Sequence, residues 1–205
     1  MSRKNSGFTL IEMLIALAIA VLVIGVIVAF QRDLFSVNNF LRESFSIQRD
    51  SELVIRELVS ELRTASQSNL GAYPLAITGS TSIAFYSNID KDQLKERVHY
   101  FLDGTMLKKS IVKPTGQPLT YSTTTAQETL KVVLRDVVAS STQPLFTYYD
   151  SNYVGAGTPP LVQPVNVSAV RLISINIIVD KDPQRLPPSI NVSSQVTIRN
   201  LKNNL

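Results

Sequence analysis

The sequence predicts an α+β protein: one long N-terminal helix followed by a β-rich head. Three observations carry that expectation. Met13 to Phe30 runs eighteen residues without a charge, a Pro or an Asn. No Pro or Gly interrupts the chain between Gly25 and Gly71, where the helix formers Leu, Glu, Arg and Gln are frequent. From Ser66 onward, Thr, Ser, Gly, Pro and β-branched residues come in short runs, the composition of strands and turns.

The apolar run is the first element. At about 1.5 Å per residue it is long enough to cross a hydrocarbon core of roughly 30 Å, with more to spare when Phe8 to Glu12 join it. A secretory signal would be shorter and would end at a small-residue site. Here the only candidate, Ala18-Ile19-Ala20, lies in the middle of the run. A core helix would show a polar side, and this run is apolar on every face. Arg3 and Lys4 precede it, while Gln31 to Arg56 carries four basic and four acidic side chains, so the N-terminus is expected to stay cytoplasmic while the remainder crosses.

Beyond Phe30 the helix is expected to continue and become amphipathic. Leu34, Val37, Leu41 and Phe45 form a stripe that Val54, Leu58 and Leu62 resume, with Ile55 and Val59 beside them. Glu52 and Arg56 stand four apart on the polar side. A single helix from Phe8 to Ala65 would be about 85 Å long. Its segments are residues 8–30, a membrane or filament-core portion, and 31–65, an amphipathic portion packed on an antiparallel sheet. Residues 66–205 make the head.

Strands are expected over Ser82–Ser87, Arg97–Leu102, Met106–Val112, Leu145–Tyr149, Ala169–Asp180 and Ile190–Leu201. The second and third are joined across Asp103-Gly104, a hairpin signal. Leu130, Val133, Leu134, Val137 and Val138 fit a helical stripe as well as a buried strand, and the spacing favours a short helix over Leu130–Val138. Ser151–Pro164, with five Pro or Gly, reads as a loop.

Composition removes several function classes. The 205 residues contain no Cys and one His, which leaves neither thiolate chemistry nor the usual zinc sites. Net charge is +4, or about +2 without Arg3 and Lys4, too little to indicate nucleic-acid binding. No motif supports hydrolase, zinc-protease or ATPase chemistry, no cofactor site is indicated, and the protein is read as a non-enzyme.

Asn88, Asp90 and Asp92 alternate as calcium ligands do. They lack the Gly and terminal Glu of an EF-hand loop, so an acidic turn is the favoured reading over a metal site. His99 reads as a strand residue. Tyr148, Tyr149 and Tyr153 form either an exposed contact surface or, with Phe146, core and cap.

The chemically informative string is Lys4-Asn5-Ser6-Gly7-Phe8-Thr9-Leu10-Ile11-Glu12, directly before the apolar run. It resembles the class III leader of type IV prepilins and pseudopilins, which ends in Gly, continues with Phe and places a Glu fifth in the mature chain. Gly7, Phe8 and Glu12 match that pattern. Gly7 also lets extended backbone approach a protease without a side chain to clash.

The resemblance implies a pilin-like fold and a seven-residue leader, residues 1–7. It implies cleavage between Gly7 and Phe8 by a membrane prepilin peptidase that then methylates the Phe8 amine, and inner-membrane residence before entry into a pilus or pseudopilus. Other pilin or pseudopilin subunits would be partners through the N-terminal helix, and a separate ATPase would drive assembly. Glu12 would pair with the amino terminus of an adjacent subunit and set register, since an ionised carboxylate without a partner costs on the order of 2.5 to 3.5 kcal/mol inside a bilayer.

The head is also similar to the J-type minor pseudopilins of type II secretion, in Ile83-Ala84-Phe85-Tyr86 with its acidic turn and a Tyr100 hairpin, and in Val196-Thr197-Ile198-Arg199-Asn200-Leu201. A minor, structural subunit in initiation or at the tip is therefore expected. The alternatives are a tip module that binds a surface, a secreted substrate or DNA, and a single-span membrane protein with an unrelated β domain.

Overall fold

A computed structural model describes residues 9–90, 92–122, 128–181 and 189–201. Gly7, Phe8 and the leader expected over residues 1–7 lie outside them. The described chain holds one α-helix, α1 (Leu10–Arg63), and nine strands. These are β1 (Leu75–Thr78), β2 (Ser82–Ser87), β3 (Glu96–Asp103), β4 (Met106–Val112), β5 (Glu128–Leu134), β6 (Val137–Val138), β7 (Phe146–Tyr149), β8 (Leu172–Val179) and β9 (Ile190–Thr197). By its contacts the chain divides after Phe45.

Before that division the described residues are helical from Leu10 onward, and their apolar side chains are open, from Leu10 and Ile11 through Phe30 to Leu34, Val37, Leu41 and Phe45. Leu10–Arg32 is long and apolar enough to cross a membrane, about 35 Å by rise per residue.

In Ser46–Leu205 the end of α1 packs on the strands. Val54, Ile55, Leu58 and Leu62 recur at helical spacing and are buried, each worth roughly 1.5 to 3 kcal/mol of apolar transfer. Within Ser46–Leu205 the packed face starts near Ser51, with Ile47 partly covered. Ser51 is buried without penalty because its hydroxyl donates to the Ile47 carbonyl at 2.8 Å. The helix closes on i→i+3 bonds from Thr64 and Ala65.

Two antiparallel sheets face this end of the helix, where one was expected. The first runs β1-β2-β3-β4-β5. In the second, β9 pairs along the whole of β8, from Leu172–Thr197 to Val179–Ile190, so β6 and β7 share the opposite edge of β8. Period-two alternation turns Ile83, Phe85, Val98, Tyr100, Ile173, Ile175 and Ile177 into one core. The sheets are tied by Phe146 N–H to the Ser80 carbonyl, by Val137 N–H to the Thr105 carbonyl, and by Tyr148 Oη to the Gly79 carbonyl at 2.9 Å.

The β3–β4 hairpin forms as expected, one residue later than the dipeptide suggested. Asp103 pairs with Met106, so Gly104 and Thr105 are the central pair. Gly104 takes φ +60°, the conformation that the first central position of a tight hairpin turn demands.

Leu130–Val138 is not a helix but β5 and β6, broken by Arg135 and Asp136, the latter at φ 59°. Pairing of β5 with β4 from Glu128–Val112 to Leu134–Leu107 overrides the helical spacing, and Leu130 is left exposed on this edge strand. The Leu75–Thr78 strand, which no expectation covered, lies between Pro74 and Gly79. The last strand ends at Thr197, and Arg199–Leu201 form a 3₁₀ turn. There Asn200 Nδ2 donates to the Ala65 carbonyl at 2.9 Å, fastening the end of the head to the end of the helix.

Candidate functional site

Thr9 opens α1. Its carbonyl accepts from the amides of Glu12 and Met13, and its Oγ1 accepts from Glu12 N at 3.3 Å. Thr9-Leu10-Ile11-Glu12 therefore has the spacing of a capping box, a signal present in the sequence that the reading above passed over. Glu12 also stands in the first turn, where a carboxylate is favoured by the helix dipole. It lies two residues, about 3 Å, inside one end of the apolar span, so its desolvation falls below the mid-bilayer figure. Among the described residues no hydrogen bond or ion pair engages its carboxylate, while the apolar side chains that follow, from Met13 to Phe30, are open.

The Asn88, Asp90 and Asp92 set sits in the β2–β3 turn. Asn88 Nδ2 donates to the Asp92 carbonyl. Asp90 and Asp92 both pair with Lys113, Asp92 at 3.3 Å, and that ammonium holds the Asp90 carboxyl below the usual carboxylate range. Glu96, on β3 and absent from the sequence-level set, joins the two aspartates in a group that could hold a metal ion.

A second charged group lies under the helix. Lys109 on β4 reaches Glu57 at 2.6 Å and also Glu61, and Tyr100 Oη donates to Glu61 Oε2 at 2.9 Å. The ammonium lies 5.4 Å from the Tyr100 ring centroid, a further favourable contact. Burial pushes the Glu61 carboxyl up, with Lys109 and Tyr100 pulling the other way. Burial likewise raises the Tyr100 and Tyr148 phenols. These bonds join helix to sheet, and only the helical spacing of Glu57 and Glu61 was readable beforehand.

His99 is a strand residue, as expected. It stacks on Phe101 at 4.7 Å, and burial, with Arg97 adding to it, holds the imidazole below its ordinary range. Phe146 and Tyr148 are core. Tyr149 packs on Tyr153 at 4.7 Å, and Gln195 Nε2 donates to Tyr153 Oη at 2.8 Å, so these rings cap the fold.

The prokaryotic N-terminal methylation motif matches residues 2–28, a stretch that includes Gly7, Phe8 and Glu12. No curated protein matches the chain. That motif runs directly into a helix with the length and apolarity to cross a membrane, ahead of an antiparallel β head, an arrangement that indicates a type IV pilin-like prepilin.

Proposed function

We propose that the protein is a structural minor subunit, cut between Gly7 and Phe8 by prepilin peptidase, methylated at the Phe8 amine, and built into a pilus or pseudopilus in initiation or at the tip. Its N-terminus stays cytoplasmic and its head outside the inner membrane until a separate ATPase-driven machine extracts it. The observation that carries this reading is the Glu12 carboxylate, engaged by none of the described residues, at the start of a helix whose apolar surface is open. Such a helix lies in lipid or among other helices. Among helices of its own kind, a trimmed neighbour brings an ammonium to the height of Glu12. Attraction there is strengthened by low dielectric and offset by desolvation, so the pair sets register more than it adds stability.

Glu12→Ala is the test: cleavage should continue while incorporation into filaments fails. Normal incorporation of that variant would refute the proposal.

One observation favours a second reading, a tip module. Val154 and Val162 are 91% and 85% exposed in the loop beside Tyr149 and Tyr153. Replacing Ser151–Pro164 with a Gly-Ser linker separates the two. Loss of surface, substrate or DNA binding with filament numbers unchanged supports the tip module, whereas fewer filaments support the assembly role.

A further inference from the structure

The β2–β3 turn holds a cluster that the assembly role does not use. Asp90, Asp92 and Glu96 bring one carboxylate oxygen each within 4.8 Å of one another. In every one of the three, the second oxygen is already held by a backbone amide. Asp92 N donates to Asp90 Oδ1 at 3.2 Å, Leu94 N to Asp92 Oδ1 at 2.6 Å, and Ile89 N to Glu96 Oε2 at 3.0 Å. The remaining oxygens converge on the Lys113 ammonium, which bonds Asp90 Oδ2 and lies 3.3 Å from Asp92 Oδ2 and 3.9 Å from Glu96 Oε1.

Glu96 is an independent indication of a ligand. Its side chain is fully buried, yet Oε1 accepts no hydrogen bond from any described residue, and its only ion-pair contact there, to Lys113 at 3.9 Å, is too long for a hydrogen bond. A buried carboxylate oxygen without a donor is costly and rare in folded proteins. One ammonium against three carboxylates leaves a formal charge of about −2 on the cluster. A small divalent ion, bound at roughly 2.3 to 2.6 Å from each oxygen, would satisfy Glu96 Oε1 together with the two aspartates. Lys113 is 52% exposed on a flexible stem and can withdraw into water.

We infer that Asp90, Asp92 and Glu96 form a calcium site, with Lys113 as the resident cation that calcium displaces. Asn88 Nδ2 donates to the Asp92 carbonyl and braces the turn. Calcium suits the site better than magnesium because three protein oxygens on a surface turn, completed by water, make a loose and expandable shell. Few protein ligands and a built-in competitor put the affinity in the weak range of extracellular modules, about 10⁻⁴ to 10⁻³ M.

Calorimetric titration of the full chain in detergent micelles with calcium chloride, and separately with magnesium chloride, tests the site. A saturable one-to-one calcium signal is expected, with weaker magnesium binding. Lys113→Met should bind calcium roughly tenfold tighter because the competing charge is gone, and Glu96→Gln roughly tenfold more weakly. Should Glu96→Gln fail to fold by circular dichroism, the exposed Asp92→Asn variant carries the same expectation. No calcium signal from either the native chain or Lys113→Met overturns the inference. So do equal affinities in native and substituted chains, which mean diffuse surface binding, and magnesium binding as tight as calcium.

Discussion

Replacing Lys109 with Met should destabilise the head by about 2 to 3 kcal/mol at pH 7. Removing one member of a buried ion pair generally costs about 3 to 5 kcal/mol, because the other charge is left in low dielectric. The geometry here lowers that figure. Glu57 is 48% exposed and loses little, while Glu61, at 13%, is the charge left stranded. Glu61 also has an escape, since it can take up a proton. From the ordinary 4.5 of a glutamate, protonation at pH 7 costs at most roughly 3.4 kcal/mol, at about 1.36 kcal/mol per unit. Burial already holds the folded carboxyl above that value, which reduces the cost further.

The sign of the pH dependence follows. A carboxyl raised in the folded state favours folding below its unfolded value, and that contribution is lost as pH rises through the folded value. Losing Lys109 raises Glu61 further, so acidification from pH 7 toward pH 5 should rescue the variant more than the native chain. Urea unfolding in detergent micelles, followed by tyrosine near-ultraviolet circular dichroism at both pH values, measures this. A loss under 1 kcal/mol at pH 7, or a gap that widens on acidification, would refute the reasoning.

Further outcomes can be checked on the same preparation. Gly104→Ala should cost about 1 to 2 kcal/mol, since a Cβ is placed at φ +60°, and an unchanged midpoint would mean that the turn relaxes freely. Tyr148→Phe should cost about 1 kcal/mol by leaving the Gly79 carbonyl without its donor, again read from the urea midpoint. Leu58→Ala, at a fully buried helix position, should cost about 2 to 5 kcal/mol, and a loss under 1 kcal/mol would show that helix and sheets do not share a core.

The helix was legible because nothing opposes it: apolar or helix-forming residues run from Leu10 to Arg63, and the polar stretch after Thr64 ends it. β2 and β4 were legible to the residue, since short β-branched and aromatic runs there are bounded by turn residues. What failed did so for tertiary reasons. Leu130, Val133, Leu134, Val137 and Val138 satisfy a helical period, but β4 offers β5 a ladder and Asp136 turns the chain between β5 and β6. Leu75–Thr78 was too short to stand out, and the division into two sheets follows from long-range strand pairing, such as β6 with β8, that no local pattern encodes.

The site divides in the same way. Gly7, Phe8 and Glu12 stand close together in the linear sequence, within the stretch that matches the methylation motif. Glu96 and Lys113 were not legible, because they meet Asp90 and Asp92 only after β3 and β4 pair. The alternation of Asn88, Asp90 and Asp92 found an acidic turn, within which Asn88 Nδ2 donates to the Asp92 carbonyl.

Mass spectrometry of the protein's N-terminus, recovered from cells with and without an active prepilin peptidase, tests the central claim most directly. The account predicts a chain beginning at N-methylated Phe8 when the peptidase is active and one retaining residues 1–7 when it is not. An unmethylated chain that keeps Met1 to Gly7 in the presence of active peptidase would contradict it.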